Sequence, residues 1–280
     1  MERAEAERIL RDVFIGTPGN RVEVPLKEGG TAPLTMFEAP LIGIASAADP
    51  LFDRFKAPGA VGPWFMAPAE WLAEAKSVIS FFLPFTEEVK ASNRAQRDIA
   101  SLEWVYARVE GQLFISGYLE ELVRRFVQAG FSACAPAVDP RFFKISGGRA
   151  AGTPYPGADE NTYSSVWSER HIAYASGLGT FGKSRGLITA RGMAGRFGSL
   201  IVSADIPADT RAYTDIYAYC IRCNACVRRC PARAIPKEGI KDNALCGAEL
   251  QKSKVTFAPR YGCGLCQTGV PCESRIPGRR

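Results

Sequence analysis

The chain has 280 residues, of which 46% are hydrophobic and 23% are charged, the composition of an ordinary soluble globular protein. The densest apolar run, 78–85, is far too short to span a membrane, and no apolar stretch of signal-peptide type follows the first residues. We therefore expect a cytoplasmic protein, without a membrane-bound part, whose thiols are reduced.

The first half of the chain alternates helical and extended segments. Apolar periodicity predicts an amphipathic helix over 2–15, and short apolar runs predict buried strands over 41–46 and 77–85. The longest helix is expected over 101–129, where Gly130 is a natural stop. This pattern predicts a body with both helices and sheet.

A segment rich in glycine and proline, 139–161, predicts a long loop. Loops of this length commonly serve as lids or binding loops, so Asp159 and Glu160 near its end become candidate site residues. Cys134, just before it, is the odd cysteine of the chain. We interpret Cys134 as a small buried hydrophobic side chain rather than a ligand.

Three glycines follow a short predicted helix for which Ser168 is the N-cap candidate: Gly177, Gly179 and Gly182, with the spacing G-x-G-x-x-G. A dinucleotide site needs this pattern directly after a strand, so a Rossmann site is disfavoured. Two interpretations remain. The glycines either let the backbone pass close to a large flat ligand, or they only form a turn.

Eight of the nine cysteines lie in the last sixty or so residues. Cys220, Cys223, Cys226 and Cys230 have the spacing C-x2-C-x2-C-x3-C-P, in which the fourth cysteine of a bacterial ferredoxin ligates a second 4Fe–4S cluster. Cys230 therefore needs a second cluster with three more thiolates. The tail supplies the remaining candidates: Cys246, Cys263, Cys266 and Cys272.

Two other uses of these cysteines fit less well. Disulfides would need an oxidising compartment, and zinc sites do not call for a third cysteine at x2 or for Cys-Pro. The formal net charge of +6 comes partly from cations between the cysteines, which would stabilise anionic clusters. An anionic partner such as tRNA, or a solvated basic face, would also explain that charge.

Strands alternating with helices, followed by a cysteine-dense tail, predict the fold class and the domains. We expect an α/β (α+β) body over 1–210 that binds cofactor and substrate. A ferredoxin-like module with two 4Fe–4S clusters is expected over 211–280.

The order of motifs from residue 168 onward resembles epoxyqueuosine reductase. Glu169-Arg170, the glycine segment, two strands and the cysteine run occur in the same order and at the same spacing. The same core resembles reductive dehalogenases and other corrinoid iron–sulfur proteins, over roughly residues 70–280. The resemblance implies an oxidoreductase with a nitroreductase-like body that holds a base-off cobalamin, fed with electrons by two 4Fe–4S clusters.

The resemblance, with the cysteine count, also implies the ligand sets. Cluster one would take Cys220, Cys223, Cys226 and Cys272, and cluster two would take Cys230, Cys246, Cys263 and Cys266. We expect cluster two to accept electrons from a donor such as ferredoxin or flavodoxin, and cluster one, nearer the body, to pass them on. Gly177, Gly179 and Gly182 are the candidate cofactor contacts.

The chain departs from the resemblance at the proton donor. Tyr163 stands where epoxyqueuosine reductase carries an aspartate, whereas reductive dehalogenases use a tyrosine; Asp159 and Glu160 are the alternatives. We expect Glu169 and Arg170 to form an ion pair that braces the helix, and His171 to be structural.

The substrate and the cofactor leave alternatives open. We expect a short form, without the helical repeat domain that follows the clusters in the longer epoxyqueuosine reductases. A small molecule or a modified nucleoside is therefore favoured over tRNA as the substrate. The alternative function, without cobalamin, is a ferredoxin-type electron carrier or partner subunit, or a flavin-dependent iron–sulfur reductase.

Overall fold

The computed structural model describes residues 1–278. Its helices are α1 Arg3–Gly16, α2 Leu51–Arg54, α3 Pro68–Trp71, α4 Glu87–Arg94, α5 Leu102–Gln128, α6 Glu169–Ala175, α7 Ala225–Arg228 and α8 Asn243–Phe257, with a 3-10 turn at Pro136–Val138. Its strands are β1 Arg21–Pro25, β2 Thr31–Thr35, β3 Leu41–Ser46, β4 Ser77–Pro84, β5 Ala133–Cys134, β6 Lys144–Ser146, β7 Arg149–Ala150, β8 Thr153–Pro154, β9 Tyr163–Ser165, β10 Gly179–Phe181, β11 Leu187–Thr189 and β12 Gly195–Val202.

The central sheet is antiparallel, in the order β3-β4-β12-β5. Every residue of β4 is buried, so this strand has apolar neighbours on both faces. Ile79 and Phe81 contribute to one apolar core with α1 and α5, whereas Val78 contributes to a second core with α6. Alternation along β4 thus places the sheet between two helical layers.

The longest helix, α5, begins and ends where local chemistry predicts. The Ser101 hydroxyl accepts a hydrogen bond from the backbone N–H of Trp104 at 3.1 Å, which caps the first turn. Gly130, just past the end, has a φ of +86°, a conformation that glycine adopts without strain. Tyr118 on the buried face donates to the carbonyl of Leu10 at 2.8 Å, which fixes α1 against α5.

The segment 139–161 is more ordered than its composition indicates, so the expectation of a simple loop is wrong. Short antiparallel strands β6, β7 and β8 form within it and pair with β9 in the order β8-β7-β6-β9. Gly147 and Gly148, with φ of +59° and +73°, make the turn between β6 and β7. The segment is therefore a small sheet beside the body.

The cysteine-rich region, residues 211–278, contains only α7 and α8 as helices, and the rest of its described residues are turns and loops. Buried Asn93 at the end of α4 donates to the Cys263 carbonyl at 3.2 Å and to Thr268 Oγ1 at 3.1 Å. Arg94, the next residue, forms an ion pair with Glu273. These contacts hold the cysteine-rich region against the body.

Helices and several antiparallel sheets together confirm the mixed α/β (α+β) class. The nitroreductase-like body, the ferredoxin-like module and the boundary near residue 210 stay predictions. No helix within residues 1–278 combines the length and apolar character needed to cross a membrane.

Candidate metal centres

The eight clustered cysteines line two cavities in the cysteine-rich region. Group one, which lines the first, consists of Cys220, Cys223, Cys226 and Cys272. Group two, which lines the second, consists of Cys230, Cys246, Cys263 and Cys266. The structure thus brings together the four cysteines predicted for each cluster, and iron binding itself stays a prediction.

Cys226 of group one lies in the short helix α7, and the other three cysteines line the same cavity. Arg222 and Asn224 have φ of +51° and +57°, so the chain curls tightly between Cys220 and Cys226. Burial and the nearby thiols of Cys266 and Cys220 raise the pKa of Cys226 to about 11. Thiols this close repel one another as thiolates, and a bound cationic centre would relieve that repulsion.

Group two lies deeper, against the body. Burial raises the pKa of Cys263 to about 12 and raises that of Cys266, which Lys241 partly offsets. The backbone N–H of Ala234 lies 3.3 Å from Cys230 Sγ, the kind of hydrogen bond that tunes cluster potential. Since Cys266 is also a neighbour of Cys226, the two groups adjoin.

In residues 1–278, no three His, Cys, Asp or Glu side chains lie close enough together to hold a single metal ion. A 4Fe–4S cluster binds differently, because each thiolate ligates a separate iron atom. The donor set that the structure offers at each cavity is four thiols, the set that such a cluster takes.

The cavity of group two is also the cleft between the body and the cysteine-rich region. Arg108 of α5 and Arg196 of β12 line it with Lys241 and Trp104. Burial, followed by the charge of Arg108, lowers the pKa of Arg196 to about 10. Arg170 keeps an exposed surface, although burial and then Arg185 lower its pKa.

The prediction that Glu169 and Arg170 form an ion pair is wrong. Among the described residues, Arg170 makes no salt bridge and instead donates to the Arg185 carbonyl. Glu169 Oε2 accepts from Ser199 Oγ at 2.6 Å, while Oε1 is buried without a hydrogen-bond partner in residues 1–278. Burial raises the pKa of Glu169 to about 7.

His171 packs between two aromatic rings, with centroids 5.2 Å from Phe55 and 4.9 Å from Phe181. Its Nδ1 lies 2.8 Å from Ser168 Oγ. Burial lowers the pKa of His171 to about 3, so the ring is neutral at physiological pH. This environment accounts for a structural histidine.

The glycine segment packs against its own chain. Gly177 follows α6 with a φ of +79°, the usual end of a helix. A Cβ on Gly179 would lie 2.0 Å from the Ile188 carbonyl oxygen, so close pairing of β10 with β11 requires glycine there. Gly182 lines the cavity of group one. The turn interpretation accounts for Gly177 and Gly179, and cofactor contact stays a prediction.

The proton-donor candidates lie around the small sheet. Tyr163 is 43% exposed, and its hydroxyl would be 3.9 Å from a Cβ placed on Gly247 of α8. Asp159 accepts from Thr162 Oγ1 at 2.7 Å within a turn, and Glu160 is exposed. Tyr163 is therefore the candidate that reaches the cysteine-rich region.

Cys134 is separate from both groups. It is half-buried on β5, and its Sγ lies 3.5 Å from Asp139 Oδ2. Burial and then Asp139 raise its pKa to about 11, which keeps it a neutral thiol.

Comparisons with known proteins support the predicted resemblance. The chain is 31% identical to the epoxyqueuosine reductase of Aliivibrio fischeri over 114 residues, and 30% identical to that of Vibrio cholerae over 120 residues. These alignments cover 37% and 39% of this chain, but only 30% and 31% of the relatives. The similarity to epoxyqueuosine reductase is confirmed, and it spans less than a third of those proteins. No protein-family model matches the chain.

Two solved structures share the fold. The epoxyqueuosine reductase of Streptococcus thermophilus superposes with a TM-score of 0.50 at 15% identity, over 86% of this chain and 64% of that one. A reductive dehalogenase studied for B12-dependent dehalogenation also gives 0.50, at 12% identity, over 97% of this chain and 37% of that one. At these identities the likeness concerns the fold alone.

The cations of the cleft were not predicted from the sequence. Arg108, Arg196 and Lys241 are far apart in sequence, and each has the surroundings of an ordinary surface residue there. The one available signal was Arg196, a charged residue within a strand next to glycines. Only the packing of β12 against α5 shows that it faces enclosed space.

Proposed function

We propose that the chain is a cytoplasmic iron–sulfur oxidoreductase of the epoxyqueuosine reductase type. The observation that carries this proposal is the division of eight cysteines into two groups of four, each around one cavity. The similarity to epoxyqueuosine reductases supports a reductase over the alternative of a non-catalytic carrier. The free thiols favour a reducing compartment.

In this proposal group one holds cluster one and group two holds cluster two. Bound there, the clusters supply one-electron transfer. Cys223 of group one is exposed, whereas the cysteines of group two line the cavity that faces the body. We therefore place the electron entry at group one and the delivery at group two, the reverse of the order expected from the sequence.

The surface at the entry suits an acidic donor such as ferredoxin or flavodoxin. Arg222 and Arg228 border the depression beside Cys223, and neither forms a salt bridge with a residue in 1–278. Tyr217, 44% exposed, adds an aromatic contact. Complementary charge of this kind speeds the encounter of two proteins.

Cobalamin is the proposed cofactor of the cleft. The chain fills the space beside Gly177 and Gly179 itself, so a corrinoid would have to approach the body side of the cavity of group two, which Arg108 and Arg196 line. There it would supply the reductive chemistry for which the dehalogenase relative is described. The protein's own part would be to orient the substrate and to deliver a proton from Tyr163.

A small molecule or a modified nucleoside is the proposed substrate, since the curated relatives are named for a modified nucleoside. The cleft is bounded by the body and by α8, which favours a compact substrate over a whole tRNA.

The decisive experiment is anaerobic purification with cobalamin supplied, followed by iron, sulfide and cobalt analysis. About eight irons per chain with one cobalt supports the whole proposal. About eight irons without cobalt supports the clusters and redirects the search to a flavin reductase or an electron carrier. Absence of iron contradicts the proposal.

Cysteine substitutions distinguish the thiols that ligate a cluster from a thiol that does not. Cys226→Ala should lower the iron content by about half and abolish reduction by dithionite of the affected cluster, because one of its four thiolates is lost. Cys134→Ala is the matched control, since that thiol lies outside both groups. Full iron in the Cys226 variant would contradict the assignment of group one.

The proton donor is tested by Tyr163→Phe, which removes only the hydroxyl. We expect both clusters to remain and turnover to fall by about 10²-fold or more, the usual contribution of a general acid. Tyr155→Phe is the matched control, since Tyr155 directly follows β8 in the same small sheet and packs against Trp64 and Phe143. An unchanged rate for Tyr163→Phe would transfer the role to Asp159, Glu160 or water.

A further inference from the structure

Both cysteine groups take members from the same two segments of the chain. The run 220–230 supplies three cysteines of group one and Cys230 of group two, while the segment 263–272 supplies two cysteines of group two and Cys272 of group one. A change in the distance between these segments would therefore move the two groups relative to each other. The contacts that join the segments fix the spacing of the groups.

Arg229, which directly precedes Cys230, joins the two segments. Its Nε donates to the carbonyl of Thr268 at 3.0 Å and to that of Leu265 at 3.3 Å. These two carbonyls stand on either side of Cys266 in the sequence. One nitrogen of the guanidinium thus connects the run that ends in Cys230 to the segment that contains Cys266.

The same guanidinium also reaches the body. Its Nη1 donates to the carbonyl of Gln96 at 2.9 Å, and its Nη2 donates to the carbonyl of Asn93 at 3.3 Å. The side-chain amide of Asn93 in turn donates to Thr268 and to the Cys263 carbonyl. All three nitrogens of Arg229 are therefore in use, and they connect both cysteine segments to the end of α4.

The backbone of the segment 263–272 passes directly beside this guanidinium. A Cβ placed on Gly269 would lie 3.1 Å from Arg229 Nε, and the φ of Gly269 is +66°, a conformation that glycine adopts without strain. The Gly269 N–H donates to Glu273 Oε2 at 2.5 Å. The loop is thus shaped to accommodate the arginine.

The partners of Arg229 are main-chain carbonyls, and it forms no salt bridge with a carboxylate in residues 1–278. Glu273, which contacts Gly269, is itself paired with Arg94. The guanidinium is a rigid planar fork, so it makes several hydrogen bonds at fixed angles, and its charge strengthens each of them. An arginine with these partners orients the backbone.

We propose that Arg229 is a positioning residue that sets the spacing between group one and group two. This inference rests on the proposed function, because the spacing of the groups is the distance over which one electron passes from a reduced cluster to an oxidised one. Arg229 acts through the two cysteine segments. Its loss should let the segment 263–272 move while all eight thiols remain in the chain.

The test measures the magnetic interaction between the two reduced clusters by electron paramagnetic resonance, on protein purified anaerobically and reduced with dithionite. This interaction falls steeply with distance, so it reports the spacing when both clusters are present. We expect the native chain to show a spectrum split by the interaction, and Arg229→Gln to keep about eight irons with a weaker splitting. An unchanged splitting in Arg229→Gln would overturn the proposal, as would two non-interacting clusters in the native chain.

Two further variants separate spacing from charge. Arg233→Gln is the matched control, because it removes the same charge from an exposed side chain just after Cys230, and it should leave the splitting unchanged. Arg229→Lys keeps the charge but has a single nitrogen, which cannot serve all four carbonyls, so we expect an intermediate splitting. Native splitting in Arg229→Lys, or weakened splitting in Arg233→Gln, would contradict the positioning role.

Gly269→Ala approaches the same contact from the other segment. The added methyl group should displace the loop from the guanidinium without removing a thiol or a charge, and the splitting should weaken. Hydrogen exchange of the N–H groups in 263–269 should accelerate by about tenfold or more in Arg229→Gln, since charge-assisted hydrogen bonds are lost. Where Arg229→Gln does not retain its iron, Gly269→Ala is decisive: weakened splitting supports the proposal and native splitting overturns it.

Iron analysis keeps this inference distinct from the proposed function. Missing iron in the native protein refutes the proposed function, whatever the role of Arg229. About eight irons in the native protein, with a splitting that does not depend on Arg229, refutes the positioning role alone.

Discussion

The body and the cysteine-rich region are stabilised in different ways. In the body, β4 is buried along its whole length and has an apolar core on each side. The apolar cluster that reaches into the cysteine-rich region is small; its buried members include Ala225 and Val270, and Cys220 packs at its edge. The body can thus fold through its own side chains, whereas the cysteine-rich region needs metal ligation in addition.

The largest effect should come from removing iron. Anaerobic chelation should release α7 and α8, because few apolar contacts remain to hold them, while the central sheet persists. Hydrogen exchange in α8 should accelerate by about 100-fold or more, with little change in β4. Equal protection of α8 with and without iron would contradict the difference between the two regions.

Truncating a side chain in the apolar core should act on the body, whereas removing iron acts on the cysteine-rich region. Phe81→Ala removes a fully buried ring that packs edge-on against Tyr118, and it should destabilise the body by about 3–5 kcal/mol. Val255→Ala on α8 is the control, since this side chain is 86% exposed and should change stability by less than about 0.5 kcal/mol. Denaturant unfolding followed by tryptophan fluorescence measures both.

Where local chemistry decides the structure, the sequence predicted it well. Strand 41–46 agrees with β3, and the helix expected over 101–129 differs from α5 by one residue at each end. A capping serine and a following glycine define α5 independently of the rest of the fold. The cysteine spacing indicated only that Cys220, Cys223 and Cys226 belong together, since they are near neighbours in the chain, whereas the remaining members of each group were inferred from the cysteine count and the family resemblance.

Where distant packing decides, prediction failed. The helix α8 was not expected, because its apolar residues do not follow one face; Leu245 and Val255 are exposed, whereas Ser253 is buried. The small sheet of 139–161 depends on pairing with β9, which composition does not reveal. The cations of the cleft could not be predicted for the same reason, since only the tertiary fold brings Arg108 of α5 close to Arg196 of β12.

An effect of intermediate size concerns the second core of the body. His171 is the only histidine, and its pKa of about 3 lies below the unfolded value of 6.5. The unfolded chain therefore gains a proton that the folded chain does not, and stability falls as the pH drops below 6.5. Between pH 6.5 and 5 the loss should be roughly 2 kcal/mol.

His171→Asn should remove this loss, which denaturant unfolding at several pH values would detect. Glu169 acts in the opposite direction, since its raised pKa of about 7 makes acidification favourable to the folded chain. The difference between the native chain and His171→Asn isolates the histidine, because Glu169 is common to both. Parallel pH profiles would show that His171 titrates normally.

The smallest effect concerns the contact between the two regions. Asn93→Ala would remove both hydrogen bonds to the cysteine-rich region and leave the Ser101 backbone N–H without its acceptor at 3.0 Å. We expect a loss of about 1–3 kcal/mol and easier release of iron, because Cys263 of group two loses its anchor to α4. Asn161→Ala in an exposed turn is the control. Iron retention under a chelator measures the anchoring directly. Equal release from both variants would mean that Asn93 supports the body alone, and that the apolar contacts and the Arg94–Glu273 ion pair suffice to position group two.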